Sequence, residues 1–135
     1  MTAEKKEWLL DLAQEARARS YSPYSNYAVG AALLCADGTV YQGCNIENAS
    51  FGDTVCAERC AMFKAVYDGK REFTAIAVIG SGESPAFPCG ICRQVMAEFC
   101  EKEFLIITAN CDRTAVSTDT LAELLPHSFG PKDLL

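Results

Sequence analysis

Two stretches constrain this chain more than any others: FTAIAVIG, residues 73–80, and FLIITA, residues 104–109. Each is apolar almost throughout, without the alternation of a strand that faces water on one side. Strands of this kind need cover on both faces, so their sheet carries helices front and back. The step after FLIITA is equally restrictive. Only NCDR, residues 110–113, separates it from the next strand-like run, TAVST. Four residues cannot make a parallel crossover, which takes a dozen or more, so the last two strands form an antiparallel hairpin.

The rest of the chain fits around that sheet. Trp8, Leu9, Leu12, Ala13 and Ala16 recur at helical spacing with charges opposite, which predicts a first helix. YAVGAALLC (27–35) and TVYQGCN (39–45) read as strands around ADG, an aspartate–glycine hairpin signal. NIENASFGDT (45–54) is a polar loop, and VCAERCAMFKAVYDG (55–69) reads as a helix ending in glycine. SGESPAFP (81–88) is a loop, and a further helix begins at the cysteines of CGICRQVMAEFCEK. In DTLAELL, Thr120 and Glu123 stand at capping-box spacing and start a short last helix. The order β-β-α-β-α-β-β with flanking helices predicts an α/β fold: a three-layer α/β/α arrangement around a five-stranded mixed sheet. With 135 residues, half of them hydrophobic, one domain over 1–135 is expected.

Charge and cysteines narrow the function. Twelve basic against eighteen acidic residues give a net charge of −6, and the basic residues do not cluster beyond GKRE at 69–72. A nucleic-acid polymer is therefore not an expected partner, whereas a small nucleotide or nucleoside is compatible. No apolar run approaches the ~20 residues of a membrane span, and the first twenty residues lack a secretory apolar core, so a cytoplasmic location is expected. In a reducing compartment the eight cysteines are packing residues or metal ligands rather than disulfides. Cys35, Cys44, Cys100 and Cys111 are taken as packing residues.

Cys89 and Cys92, in FPCGICRQ, form the tightest pair. A thioredoxin-like redox role would need a strand–helix context that the chain does not offer. Zinc is the stronger reading, and it requires four ligands, or three and an open position. His127, the only histidine, lies in the tail and reads as a surface residue. Two arrangements compete in VCAERC. Cys56 and Cys60, one helical turn apart, could close a four-thiolate structural site with Cys89 and Cys92. Alternatively Cys56 alone joins them and one position stays open. The second is favoured because Cys60 falls deeper in an apolar run, and because Glu58 stands in the first turn, where a carboxylate can face a water on the open position. The helix dipole also explains a glutamate there. Three thiolates on Zn²⁺ sum to −1, so compensating positive charge is expected from two helix N-termini and from Arg59. A proton-carrying Glu58 beside such a metal suits hydrolytic removal of an amine from an aromatic ring.

Cys-x-Glu at 56–58 followed by Pro-Cys-x-x-Cys at 88–92 resembles the signature of the zinc nucleobase deaminases. PYSNYAVGAALL, GCNIENASFG, CAER, PCGICRQ and LLPHSFGPKDL are similar, in order, to one branch: the small cytidine deaminases of free nucleosides. The resemblance implies a cytidine-deaminase-like fold and one Zn²⁺ per subunit on Cys56, Cys89 and Cys92, with Glu58 as proton shuttle. It implies that Asn45 and Glu47 bind the sugar, chiefly its 3′-hydroxyl, and that the Ala57 backbone helps hold the pyrimidine. Arg59 would donate to the thiolates, Tyr27 would lie beside the base, and Phe129 would reach a neighbouring subunit's site in a homotetramer. Cytidine and 2′-deoxycytidine are the implied substrates, in pyrimidine salvage. Two positions depart from the family's usual pattern: Tyr27 replaces phenylalanine and could crowd the pocket, and Phe51 replaces tyrosine. A deaminase for a cytosine-bearing antibiotic of the blasticidin type shares the zinc core, though the intact NIEN favours nucleosides. A polynucleotide editor is opposed by the acidic charge and by the antiparallel last strand. A non-catalytic protein with a four-cysteine zinc would instead need Cys60.

Overall fold

The computed structural model describes all 135 residues. In chain order the elements are α1 (Ala3–Arg17), β1 (Val29–Cys35), β2 (Val40–Cys44), α2 (Ala57–Tyr67), β3 (Phe73–Gly80), α3 (Gly90–Phe99), β4 (Leu105–Ala109), β5 (Val116–Thr120) and α4 (Leu121–Leu124). Short 3₁₀ turns occupy Phe51–Asp53, within the predicted polar loop, and Pro131–Asp133.

The fully apolar run 73–80 becomes β3, as its lack of alternation requires, and it lies at the centre of a five-stranded sheet of order β2-β1-β3-β4-β5. Only β3 and β4 pair in parallel; β1–β2, β1–β3 and β4–β5 are antiparallel. The hairpin expected at NCDR is present, pairing Ala109 with Val116 at its closed end. Alternate residues of β3 face opposite cores. Ala75, Ala77 and Ile79 pack with Leu9, Leu10 and Ala13 of α1, while Ile76 and Val78 pack with Ala61 and Met62 of α2 and Met96 of α3. The sheet is therefore the middle of three layers, and each helix supplies the apolar cover that a two-sided strand needs.

Several details differ from the sequence expectation. In α1 the buried positions are Leu9, Leu10, Ala13 and Ala16, so Trp8 leaves the apolar stripe. It is 40% exposed and carries the Lys5 ammonium 5.4 Å from its ring centroid. Its ring is amphipathic enough to serve as a half-wet platform, which the helical spacing could not reveal. Cys111 is not a packing residue: it lies exposed in the β4–β5 turn. Cys35 is buried, and Cys44 and Cys100 are half-buried, with Cys100 packed against the larger core. Burial pushes the Cys100 thiol up to about 12. Cys60 is half-buried rather than buried. The last helix is shorter than predicted, but its capping box forms: Thr120 Oγ1 accepts from the Glu123 N–H while Glu123 reaches back to the Thr120 N–H.

Two close approaches set where α2 and the site lie. A Cβ on Gly43 would stand 2.4 Å from the Ala57 carbonyl oxygen and 2.5 Å from the Ala61 nitrogen, so α2 rests directly on the backbone of β2. The loop between them is closed by a two-bond bridge, Ile46 N–H to Val55 O at 2.9 Å and Val55 N–H to Ile46 O at 3.0 Å. That bridge brings Asn45 and Glu47 alongside the start of α2.

Candidate active and metal site

α2 and α3 begin at cysteines. Cys56 and Cys89 are not inside the first turns but are the N-cap residues, each with extended backbone and no side-chain capping bond. A thiol is a poor capping acceptor, so both side chains remain free for another partner. Glu58 and Cys92 follow inside the first turns, and both are buried. Two helix starts thus meet at a set of sulfur atoms, and a helix N-terminus favours negative charge.

The Sγ atoms of Cys56, Cys89 and Cys92 all lie within 4.8 Å of one another. Cys60 is not part of the cluster. Two sulfurs bound to tetrahedral zinc at ~2.3 Å stand ~3.8 Å apart, and Cys56 Sγ and Cys89 Sγ are 3.8 Å apart. The donor set therefore fits a zinc ion with no rearrangement of that pair. Three sulfurs leave one tetrahedral position without a cysteine.

The electrostatics are those of an anion-tolerant pocket. Arg59 Nη2 donates to Cys56 Sγ at 3.3 Å and to the Thr54 carbonyl at 3.4 Å. Its Nε–H is buried without a partner, a spare donor beside the thiols. A hydrogen bond shared with Cys92, together with the Arg59 guanidinium, brings Cys56 down to about 5. The same hydrogen bond, with burial, pushes Cys92 up. Burial pushes Glu58 up to about 7, aided by the negative charge of Cys56. Arg59 is raised in turn, chiefly by its bond to Cys56.

The other predicted residues lie on neighbouring segments. Asn45 is buried; its Oδ1 accepts from the Val29 N–H at 2.9 Å and from the Ser20 hydroxyl, and its Nδ2 donates to the Tyr27 carbonyl at 2.8 Å. Glu47 Oε1 accepts from the N–H groups of Tyr24 and Ser25 at 3.0 and 3.1 Å, and its Oε2 from the Ser25 hydroxyl. Those bonds, the Ser25 hydroxyl first, hold the Glu47 carboxyl below the usual range. Glu47 lines a cleft of about 250 Å³ with Tyr24, Ser25, Asn48, Phe51 and Thr54. Ala57, first residue of α2, is fully buried. The Tyr27 hydroxyl lies over Gly80, where a Cβ would stand 2.3 Å from it, so this phenol occupies space that only glycine leaves open. Phe129 is 58% exposed on the tail, its carbonyl held by Gln94 Nε2 at 2.9 Å, and it does not line the cleft. A larger cavity, about 500 Å³ between the end of α3 and the tail, is lined by none of the candidate residues.

Ser20, Ser25 and Thr54, which hold Asn45, Glu47 and Arg59, escaped the sequence reading. A serine two residues from a proline reads as a turn former, and nothing local marks it as the partner of a carboxylate 22 residues away.

The sequence model of the cytidine and deoxycytidylate deaminase zinc-binding region matches residues 3–108. The chain belongs to this deaminase family. A cytidine deaminase of Sporosarcina psychrophila is 49% identical over 128 residues, 95% of this chain and 93% of that protein. One from Halalkalibacterium halodurans is 46% identical over 129 residues, 96% and 97% of the two chains. The crystal structure of cytidine deaminase from Burkholderia pseudomallei, 45% identical, superposes with a TM-score of 0.88 over 96% of this chain and all of that one. Deaminase membership accounts for the cluster: this is a zinc-binding family, and the three thiols are the group in the chain that could hold the ion.

Proposed function

We propose that the protein is a zinc-dependent cytidine deaminase acting on free cytidine and 2′-deoxycytidine, with the whole of 1–135 as one catalytic domain. The observation that carries this reading is the convergence of two helix starts, which brings Cys56, Cys89 and Cys92 together with the buried Glu58 in the first turn of α2. Cys56, Cys89 and Cys92 would hold the zinc. When bound, the metal makes water acidic enough to supply a nucleophile near neutral pH. Glu58 takes a proton from the attacking water as its oxygen adds to C4 of the pyrimidine and delivers that proton to N3. The same carboxyl group then takes the proton of the new C4 hydroxyl and carries it to the exocyclic nitrogen, so that the C4–N bond breaks, ammonia leaves and the C4 carbonyl of uridine forms. Arg59 offsets the negative charge of the thiolates, and the N–H of Ala57 at the start of α2 would help hold the base.

Asn45 and Glu47 would bind the sugar, and their hydrogen-bond capacity supports that reading. Asn45 has one Nδ2 hydrogen to spare, and Glu47 accepts three bonds where a carboxylate has about four lone-pair sites. A spare donor on Asn45 and a spare acceptor on Glu47 would together suit a hydroxyl, which both gives and takes a hydrogen bond. That hydroxyl is the 3′-OH, which cytidine and 2′-deoxycytidine share. Tyr27 would lie beside the base; its hydroxyl rests over Gly80, which supports a pocket that accommodates the extra oxygen. Phe129, exposed on the tail, would complete the site of a neighbouring subunit in a homotetramer. Pyrimidine salvage in the cytoplasm is the role consistent with such a substrate. No helix is long and apolar enough to cross a membrane.

A substrate panel tests this reading. The zinc-loaded protein is expected to deaminate cytidine and 2′-deoxycytidine with kcat/KM values within about tenfold of each other. Free cytosine, which cannot use Asn45 and Glu47, should be at least a hundredfold poorer, since two lost hydrogen bonds amount to about 3 kcal/mol. A preference for a blasticidin-type antibiotic over both nucleosides would overturn the assignment.

Metal content tests the ligand set separately. Cys60→Ala is expected to retain one zinc per chain, and Cys92→Ala to lose it, as measured by atomic absorption after dialysis. Loss of zinc from a folded Cys60→Ala protein would instead indicate a closed four-thiolate site and a structural role.

A further inference from the structure

The stretch that supplies two of the three thiols continues into Arg93, whose side chain takes no part in the proposed reaction. Arg93 Nε donates to the Pro88 carbonyl and Nη1 to the Leu124 carbonyl, both at 2.7 Å. Its backbone N–H donates to the Cys89 carbonyl at 3.0 Å. The carbonyls on both sides of the Cys89 nitrogen thus end on one residue. The third partner, Leu124, is the last residue of α4, 31 positions further along the chain. Arg93 is half-buried and takes part in none of the ion pairs, which involve Lys70 and Arg113. In a chain of net charge −6, this half-buried arginine is committed to carbonyls rather than carboxylates.

Cys89 needs such support. It is an N-cap without a side-chain capping bond, its residue is exposed, and in the preceding loop the buried Pro88 is the nearest anchor. A planar guanidinium can hold two carbonyls at once in a fixed relative position; an ammonium is a point charge without that fork. We infer that Arg93 is a positioning residue for the metal site, fastening the Pro88–Cys89 peptide to the end of α4 so that the Cys89 thiol is presented to Cys56 and Cys92. The inference rests on the reading of these three cysteines as zinc ligands.

Arg93→Lys keeps the charge and removes the fork. Partners that orient metal ligands from outside are worth roughly 10–100-fold in metal affinity. Competition with a chromogenic chelator should therefore show zinc held about ten- to a hundredfold less tightly by Arg93→Lys. Gln94→Ala, which removes the neighbouring bond to the Phe129 carbonyl, should hold zinc as the unaltered protein does. Equal zinc affinity in unaltered and Arg93→Lys proteins would overturn the positioning role, and so would an equal loss in Gln94→Ala. If the unaltered protein bound no zinc at all, the ligand assignment itself would fail, which is a distinguishable result. Should Arg93→Lys not fold, amide exchange on the unaltered chain decides: stripping zinc should loosen α4 as well as the start of α3. Loosening confined to the cysteine segments would contradict the link.

Discussion

Glu58→Gln should leave a folded protein with its full zinc content and about 10³-fold less turnover of cytidine. Glutamine keeps the size and a hydrogen-bonding oxygen but can neither accept a proton from water nor hand one on. General acid–base catalysis by one group contributes typically 10²–10⁴-fold, and Glu58 is the only carboxylate buried at the cluster. Glu58 is not one of the three sulfur donors, and Cys56 is supported independently of it by Arg59 and by the helix start. Atomic absorption for zinc and an ammonia assay on the same preparation separate the two roles. Activity within a few-fold of the unaltered protein would remove Glu58 from the chemistry; loss of zinc with the activity would make it a structural group.

The second large effect comes from a residue without a side chain. Gly43→Ala would place a methyl group 2.4 Å from the Ala57 carbonyl and 2.5 Å from the Ala61 nitrogen. Both are backbone atoms of α2 and cannot turn aside, so the helix must lift from β2. Overpacking of this kind costs about 1–3 kcal/mol or more. Because Cys56, Ala57 and Glu58 ride on the displaced turn, and a 1 Å misplacement can cost about 10²-fold in rate, kcat/KM should fall roughly a hundredfold. Gly52→Ala, whose added methyl meets nothing within 4 Å, should change stability by no more than about 0.5 kcal/mol. Denaturant unfolding of the two variants checks the contrast. Gly43→Ala of unaltered stability and activity would mean that α2 does not depend on this close approach.

How much of this could be read beforehand depended on the range of the interactions. The two-sided burial of β3, the β4–β5 hairpin and the capping box at Thr120 are legible because each follows from neighbouring residues: an unbroken apolar run, a four-residue gap, a threonine three before a glutamate. The cysteine cluster was half legible. Spacing within CGIC suggests a metal, but that Cys56 rather than Cys60 joins it depends on the angle at which α2 meets α3. The residue that sets α2 against the sheet is Gly43, whose importance lies in an absent side chain. Trp8 was misread because helical spacing places it near the stripe, yet the rotation of the helix about its axis decides whether an aromatic ring is covered. Cys111 was misread because a cysteine in a turn has no local feature that distinguishes it from a buried one. Arg93 stood in plain view beside Cys92, but its partners are two carbonyls, and carbonyls leave no trace in a sequence.

Whether these groups act together as a hydrolytic cytidine deaminase is decided by product analysis. Purified, zinc-loaded protein is incubated with free cytidine, and ammonia and uridine are measured in the same sample. The two products are expected in one-to-one ratio, formed catalytically and lost when zinc is removed. Folded protein carrying one zinc per chain that releases neither product would contradict it.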